Sequence, residues 1–243
     1  MKQSLAQIKT EGNLKMLVYG NSGSGKTCFA AGFPLPMLYL DFDGKVDSAA
    51  LYYKGDAERL EQIDVRSLSR GLTVDPIEEL HTIINDELVP NQAAPKYKTL
   101  VLDSITTFSS LCLDHIVRTN PGIKRVESKQ GKQPCMQDYG ILKREFAKLI
   151  PGLLSLPMNI IMLGHIDVTK DDLTGEIVRG PSMDGSFSNQ LPIYFKEVWR
   201  SFLNPKGVHV AQTKPDYKYD CRSQITGIPN EIPLSYTELT KYL

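Results

Sequence analysis

Apolar residues in this chain fall in short runs that stop at glycine, proline or aspartate. Leu14 to Tyr19, broken only by Lys15, ends at a glycine-rich turn and reads as a buried strand feeding a loop. The spacing predicts a helix over about 26–31, stopped by Gly32 and Pro34, then a short strand from Met37 to Leu40 that ends at Asp41 and Asp43. A third strand is expected over Ile63 to Leu68. Asp75-Pro76-Ile77-Glu78 combines a cap residue, a proline at the first helical position and a glutamate at the third, which marks a helix start. Ile77, Leu80, Ile84 and Leu88 continue it at helical spacing until Pro90. Thr99 to Asp103 reads as another buried strand, helices are expected over 106–118 and 137–150, and the strand Asn159 to Leu163 leads into Gly164-His165.

Strands alternating with helices predict an α/β fold with a mainly parallel central sheet flanked by helices. After His165 the pattern changes. A hairpin is expected from Lys170 to Arg179 around Thr174-Gly175, then strands near 198–203 and 208–213 forming an antiparallel edge. Without an internal repeat or a long linker, residues 1–243 read as one domain, with 1–13 as an N-terminal extension and 223–243 as a C-terminal tail. Trp199 reads as core. The 28 basic and 28 acidic side chains cancel, so a polyanionic partner must be held by a local patch. Cys28, Cys112, Cys135 and Cys221 form no C-x-x-C pair, which points to a reducing compartment and no cysteine metal site. No signal-like or membrane-length apolar run is present, so a soluble cytoplasmic protein is expected.

The chemistry concentrates in Gly20-Asn21-Ser22-Gly23-Ser24-Gly25-Lys26-Thr27, a full match to G-x-x-x-x-G-K-S/T between strand and helix. The glycines let backbone N–H groups turn inward around phosphate oxygens at the positive end of a helix. Residues Gly20 to Cys28 are therefore expected to hold ATP, with Lys26 reaching the β- and γ-phosphates and the Thr27 hydroxyl on Mg2+. Asp103, after Leu100-Val101-Leu102, supplies the second Mg2+ group, directly or through water, while Ser104 is free to cap the next helix. Asp41 and Asp43 lie two apart, and either is a candidate to orient the water attacking the γ-phosphate. His165, at a strand end, is a candidate γ-phosphate contact; a purely structural histidine is the alternative.

In this order the motifs resemble the RecA-like recombinase core. Within it the chain is similar to the small bacteriophage RecA-like ATPases of single-strand annealing, an AAA-type nucleotide-binding family, over roughly residues 14–222. Tyr39-Leu40-Asp41-Phe42-Asp43 looks like the strand that carries the catalytic carboxylate, which favours Asp43 over Asp41. Val101-Leu102-Asp103-Ser104 resembles the magnesium strand, and Leu163-Gly164-His165 sits at the γ-phosphate sensor. Asp43 is one methylene shorter than the usual glutamate, so slow hydrolysis is implied. The resemblance also implies two DNA-facing loops. In the first, Arg118, Lys124, Arg125, Lys129 and Lys132 face only Glu127, a net charge of +4, which suits single-stranded DNA. The second, Val168 to Ser188, carries a net charge of −2, and its Met183 and Phe187 are candidates to stack on bases, with a core or interface role as the alternative such residues more often take. Lys214, Lys218 and Arg222 alternate with Tyr217 and Tyr219 near the C-terminus; the resemblance makes Lys214 or Arg222 a candidate to complete a neighbouring subunit's ATP site, with a second DNA contact as the competing use. The function implied is a Mg-ATP-dependent, single-stranded-DNA-stimulated ATPase of recombination, working as a homo-oligomeric ring or filament, with a single-strand-binding protein as a further candidate partner. A helicase or motor, a small-molecule kinase and an ATP-driven assembly switch remain the alternatives.

Overall fold

The computed structural model describes residues 12–69, 74–129, 131–170 and 177–243. Strand β1 (Lys15–Gly20) and helix α1 (Lys26–Ala31) flank the glycine turn. Next come β2 (Met37–Asp41), two short helices α2 (Asp47–Tyr52) and α3 (Ala57–Glu61) that the sequence pattern did not mark, and β3 (Ile63–Ser67). Helix α4 (Pro76–Thr82) begins at the Asp75-Pro76 signal: the Asp75 carboxylate accepts the Ile77 N–H at 2.9 Å. A cap of this kind contributes about 1 kcal/mol. The helix runs on as a π-helical turn over Ile83–Leu88.

Strand β4 (Thr99–Asp103) leads into α5 (Ile105–Thr119), which Ser104 caps by accepting the Thr107 N–H. A two-residue hairpin, β5 (Glu127–Ser128) and β6 (Gly131–Lys132), precedes the long helix α6 (Met136–Leu154) and β7 (Asn159–Gly164). Then β8 (Ile166–Lys170) and β9 (Ile177–Pro181) form the expected antiparallel hairpin, whose predicted turn at Thr174-Gly175 lies outside the described residues. The last strands are β10 (Glu197–Leu203), β11 (His209–Gln212) and β12 (Glu231–Pro233), and helix α7 (Tyr236–Leu239) follows.

Eight strands form one sheet in the order β12-β11-β10-β1-β7-β4-β2-β3. From β10 to β3 every pairing is parallel; β11 pairs antiparallel with β10, the edge that the sequence predicts, and β12 extends that edge by one strand the sequence did not mark. Alternate residues of β1 enter different cores. Leu17 and Tyr19 join Leu102, Phe108 and Phe146 under α5 and α6, whereas Met16 and Val18 join Phe29, Phe33 and Trp199 on the α1 side. Cover on both faces is why these strands read as unbroken apolar runs. Residues 223–243, read from sequence as a tail, supply β12 and α7, and Ile232 and Leu239 are buried in the α1-side core. A lone isoleucine between Glu231 and Pro233 carries no strand periodicity, so this contact is visible only in three dimensions. Among the described residues no helix is long and apolar enough to cross a membrane.

Candidate functional site

The parallel strands bring their C-terminal ends to one edge, and the predicted chemistry collects there. Gly20 ends β1 against β10; a Cβ at this position would lie 2.2 Å from the Ser201 carbonyl oxygen, so glycine is required for the close approach. Gly25 precedes α1 with φ +90°, a left-handed turn that aims the following amides into the loop. Ser24 and Ser201 share a hydrogen bond of 2.7 Å that ties the loop to β10.

Lys26 is buried, and its ammonium donates to the carbonyl oxygens of Gly20 and Asn21, both at 2.9 Å. Burial pushes its pKa down, against the attraction of Asp103 and Asp43. The Thr27 hydroxyl donates to Asp103 Oδ2 at 2.7 Å, so both predicted magnesium groups do meet. A second donor reaches the same oxygen: the hydroxyl of buried Tyr39, at 2.6 Å. Burial pushes the Asp103 carboxyl up, and these two hydrogen bonds oppose that rise. A hydroxyl and a carboxylate form a hard-oxygen donor set, which fits a magnesium ion.

Asp41 and Asp43 separate into different roles. Asp41 turns inward, and its carboxylate accepts the backbone N–H groups of Gly44, Lys45 and Val46 at 2.8, 3.3 and 3.2 Å, which fixes the turn after β2. Asp43 lies beyond the strand end, so the shared direction of an extended chain no longer applies. Its Oδ1 accepts from the Ser104 hydroxyl at 2.9 Å, and its Oδ2 lies 3.1 Å from His165 Nε2. Burial raises the Asp43 carboxyl, but hydrogen bonds from His165, Thr107 and Ser104 outweigh it and hold the group well below the usual carboxylate range. His165 is tethered behind the site: its N–H donates to Thr106 Oγ1, and its carbonyl accepts from the N–H of Ser182, just past β9.

These groups line a cavity of about 410 Å3 that runs from Ser22 through Cys28 and includes Asp43, Lys45, Asp103, His165 and His209. A larger cavity of about 680 Å3 shares Gly25, Cys28 and His209 with it and is lined by Phe29, Tyr52, Tyr53 and Tyr236. Sequence reading missed Tyr39, Ser104 as a partner of Asp43, and His209. A hydroxyl on one aromatic residue of an apolar strand was the only signal for Tyr39, and His209 reaches Gly25 only because β11 folds back along β10.

The cationic candidates fare unequally. The Arg118 guanidinium pairs with Asp75, which also receives His115 Nδ1 at 2.6 Å. The Arg125 side chain is fully covered: it binds both oxygens of Asp138, at 2.9 and 2.5 Å, and the Asn120 carbonyl at 2.8 Å. That guanidinium holds the Asp138 carboxyl down at about 2. Lys124, Lys129 and Lys132 are exposed around the β5–β6 hairpin. Met183 and Phe187 are core residues, Phe187 lying 5.5 Å from the Phe146 ring. Arg222 pairs through its backbone with Val198, and Val198 lies beside Leu17 rather than at the phosphate-loop end. Lys214 is exposed and accepts from the Gln212 side chain through its carbonyl.

Residues 12–225 match the AAA domain family. The crystal structure of the RadB recombinase is similar to this chain with a TM-score of 0.47 and 14% identity, covering 82% of this chain and 79% of that one. No curated protein matches.

Proposed function

The chain belongs to the AAA domain family, and from that premise we propose that it is a Mg-ATP-dependent ATPase of phage DNA recombination or single-strand annealing, stimulated by single-stranded DNA and working as a homo-oligomer. One observation carries the reading: Lys26, Thr27, Asp103, Asp43 and His165, scattered over 140 positions of sequence, line a single cavity at the mouth of the phosphate loop. The loop amides and Lys26 bind the polyphosphate, with the Lys26 ammonium exchanging loop carbonyls for phosphate oxygens. Thr27 and Asp103 would hold a magnesium ion, which when bound would neutralise charge on the polyphosphate. The larger aromatic cavity receives the nucleoside.

Asp43 and His165 orient a water in line with the γ-phosphorus. Its oxygen bonds to phosphorus as the bond to the β,γ-bridging oxygen breaks, ADP keeps the electron pair, and the water's proton leaves with phosphate. A carboxylate held so far down is a weak proton acceptor, so Asp43 contributes chiefly orientation and charge. The same observation favours a second reading, in which ATP drives assembly with little hydrolysis. Exposed Lys124, Lys129 and Lys132 supply the single-strand contact, with Arg125 bracing the loop from within. Lys214 and Arg222 act, on this reading, on the nucleotide of an adjoining copy.

Phosphate release measured with and without single-stranded DNA, on wild type and Lys26→Ala, tests the proposal. DNA-stimulated release that Lys26→Ala abolishes supports it. Release that is equal with and without DNA across salt concentrations removes the DNA-dependent part, and nucleotide-dependent assembly without release selects the second reading.

A further inference from the structure

Asp103 receives two hydrogen bonds on one oxygen. The Thr27 hydroxyl reaches Oδ2 at 2.7 Å from the first turn of α1, and the Tyr39 hydroxyl reaches it at 2.6 Å from within β2. Among the described residues no donor reaches Oδ1. The three side chains come from different elements. Strands β2 and β4 are parallel neighbours with Tyr39 beside Val101 and Asp41 beside Asp103, so Tyr39 sits two residues below the carboxylate and reaches up to it. Its ring is wholly buried in the α1-side core among Val18, Val101 and Leu163, which leaves the hydroxyl little freedom to turn away.

We propose that Tyr39 is a positioning residue for the magnesium site: its hydroxyl fixes Asp103 Oδ2 against Thr27 and leaves Oδ1 directed to the metal and its waters. The inference rests on the nucleotide reading above. The Thr27 hydroxyl has one proton, and when its oxygen lone pair serves a cation that proton needs an acceptor; Asp103 Oδ2 is that acceptor. With only one donor the carboxylate can rotate about its Cβ–Cγ bond and present either oxygen. A second, rigid donor removes that freedom and sets which oxygen faces the cavity. Groups that orient a metal ligand in this way typically change metal affinity by about 10–100-fold when removed.

Tyr39→Phe keeps the ring and its packing and deletes only the donor. The experiment titrates Mg2+ against a fluorescent ATP analogue bound to wild type and to Tyr39→Phe, and repeats nucleotide binding in EDTA. The expected result is a rise of about tenfold or more in the Mg2+ concentration at half-saturation, with metal-free affinity within about twofold of wild type. Tyr19→Phe is the control: it deletes another buried hydroxyl, one that donates to the Asp220 carbonyl at 2.8 Å on the opposite face of the sheet, and it should leave the Mg2+ midpoint in place. A Tyr39→Phe midpoint within twofold of wild type overturns the proposal, as does an equal loss of affinity with and without metal. Manganese bound to the protein–nucleotide complex, read by its electron paramagnetic resonance spectrum, gives a second measure, and an unchanged spectrum in Tyr39→Phe also overturns it. Wild type that takes up no nucleotide with or without Mg2+ overturns the nucleotide reading itself, which separates the two failures.

Discussion

Replacing Asp43 by asparagine isolates the charge of the residue assigned to the attacking water. The carboxylate touches Ser104 Oγ at 2.9 Å and His165 Nε2 at 3.1 Å, and its side chain is 7% exposed. Asparagine has nearly the same shape. Its carbonyl oxygen accepts from Ser104, and its amide faces His165, so both contacts persist, but they lose the charge that holds the carboxyl well below its usual range, and stability should fall by about 1–3 kcal/mol. Nucleotide affinity should hold or tighten, because one negative charge leaves the neighbourhood of the polyphosphate. Turnover should fall about 10–100-fold, less than the 10²–10⁴-fold typical of a proton-transferring group, equal to about 1–3 kcal/mol of barrier. The assay is phosphate release at saturating Mg-ATP and single-stranded DNA, paired with fluorescent-nucleotide binding and thermal melting on the same samples. A variant that binds nucleotide normally and turns over within about threefold of wild type would refute the assignment.

Gly20→Ala places a Cβ against the Ser201 backbone and should cost about 2–3 kcal/mol of stability, read as a lower denaturant midpoint. Replacing Lys124, Lys129 and Lys132 together by alanine should weaken single-strand binding and reduce the slope of log affinity against log salt by about 2, with the melting temperature unchanged. The Asp138 carboxyl is held at about 2 in the fold, below its ordinary 3.8. Its stabilising effect is therefore complete above about pH 4 and is lost as pH falls from there toward 2. Denaturant unfolding of wild type should show that acid loss, and Asp138→Asn, already weaker at neutral pH, should show less of it.

Much of the site was legible in one dimension because its grammar is local. A tight phosphate turn needs glycines at fixed spacing and a lysine at the helix start, so Gly20 to Thr27 announced itself. Asp103 was legible because a carboxylate ending a fully apolar strand has little business there unless something polar meets it. What escaped depended on contacts between distant elements. Arg125 and Asp138 are 13 positions apart; by sequence Arg125 is one more cation of an exposed loop, and only the fold covers its guanidinium with that carboxylate. Asp41 and Asp43 were indistinguishable by spacing, and the end of β2 at Asp41 turned one toward the backbone and the other toward His165.

The sequence by itself determined the alternation of strand and helix, the phosphate turn and the positions where carboxylates end strands, since each follows from local sterics and the period of apolar residues. Tertiary structure alone decided the strand order that sets β7 between β1 and β4, and with it the approach of His165 to Asp43, of Tyr39 to Asp103 and of His209 to Gly25. The physical reason is range. Backbone preference acts over a few residues, whereas a buried hydrogen bond exists only once the sheet has chosen which strands lie side by side.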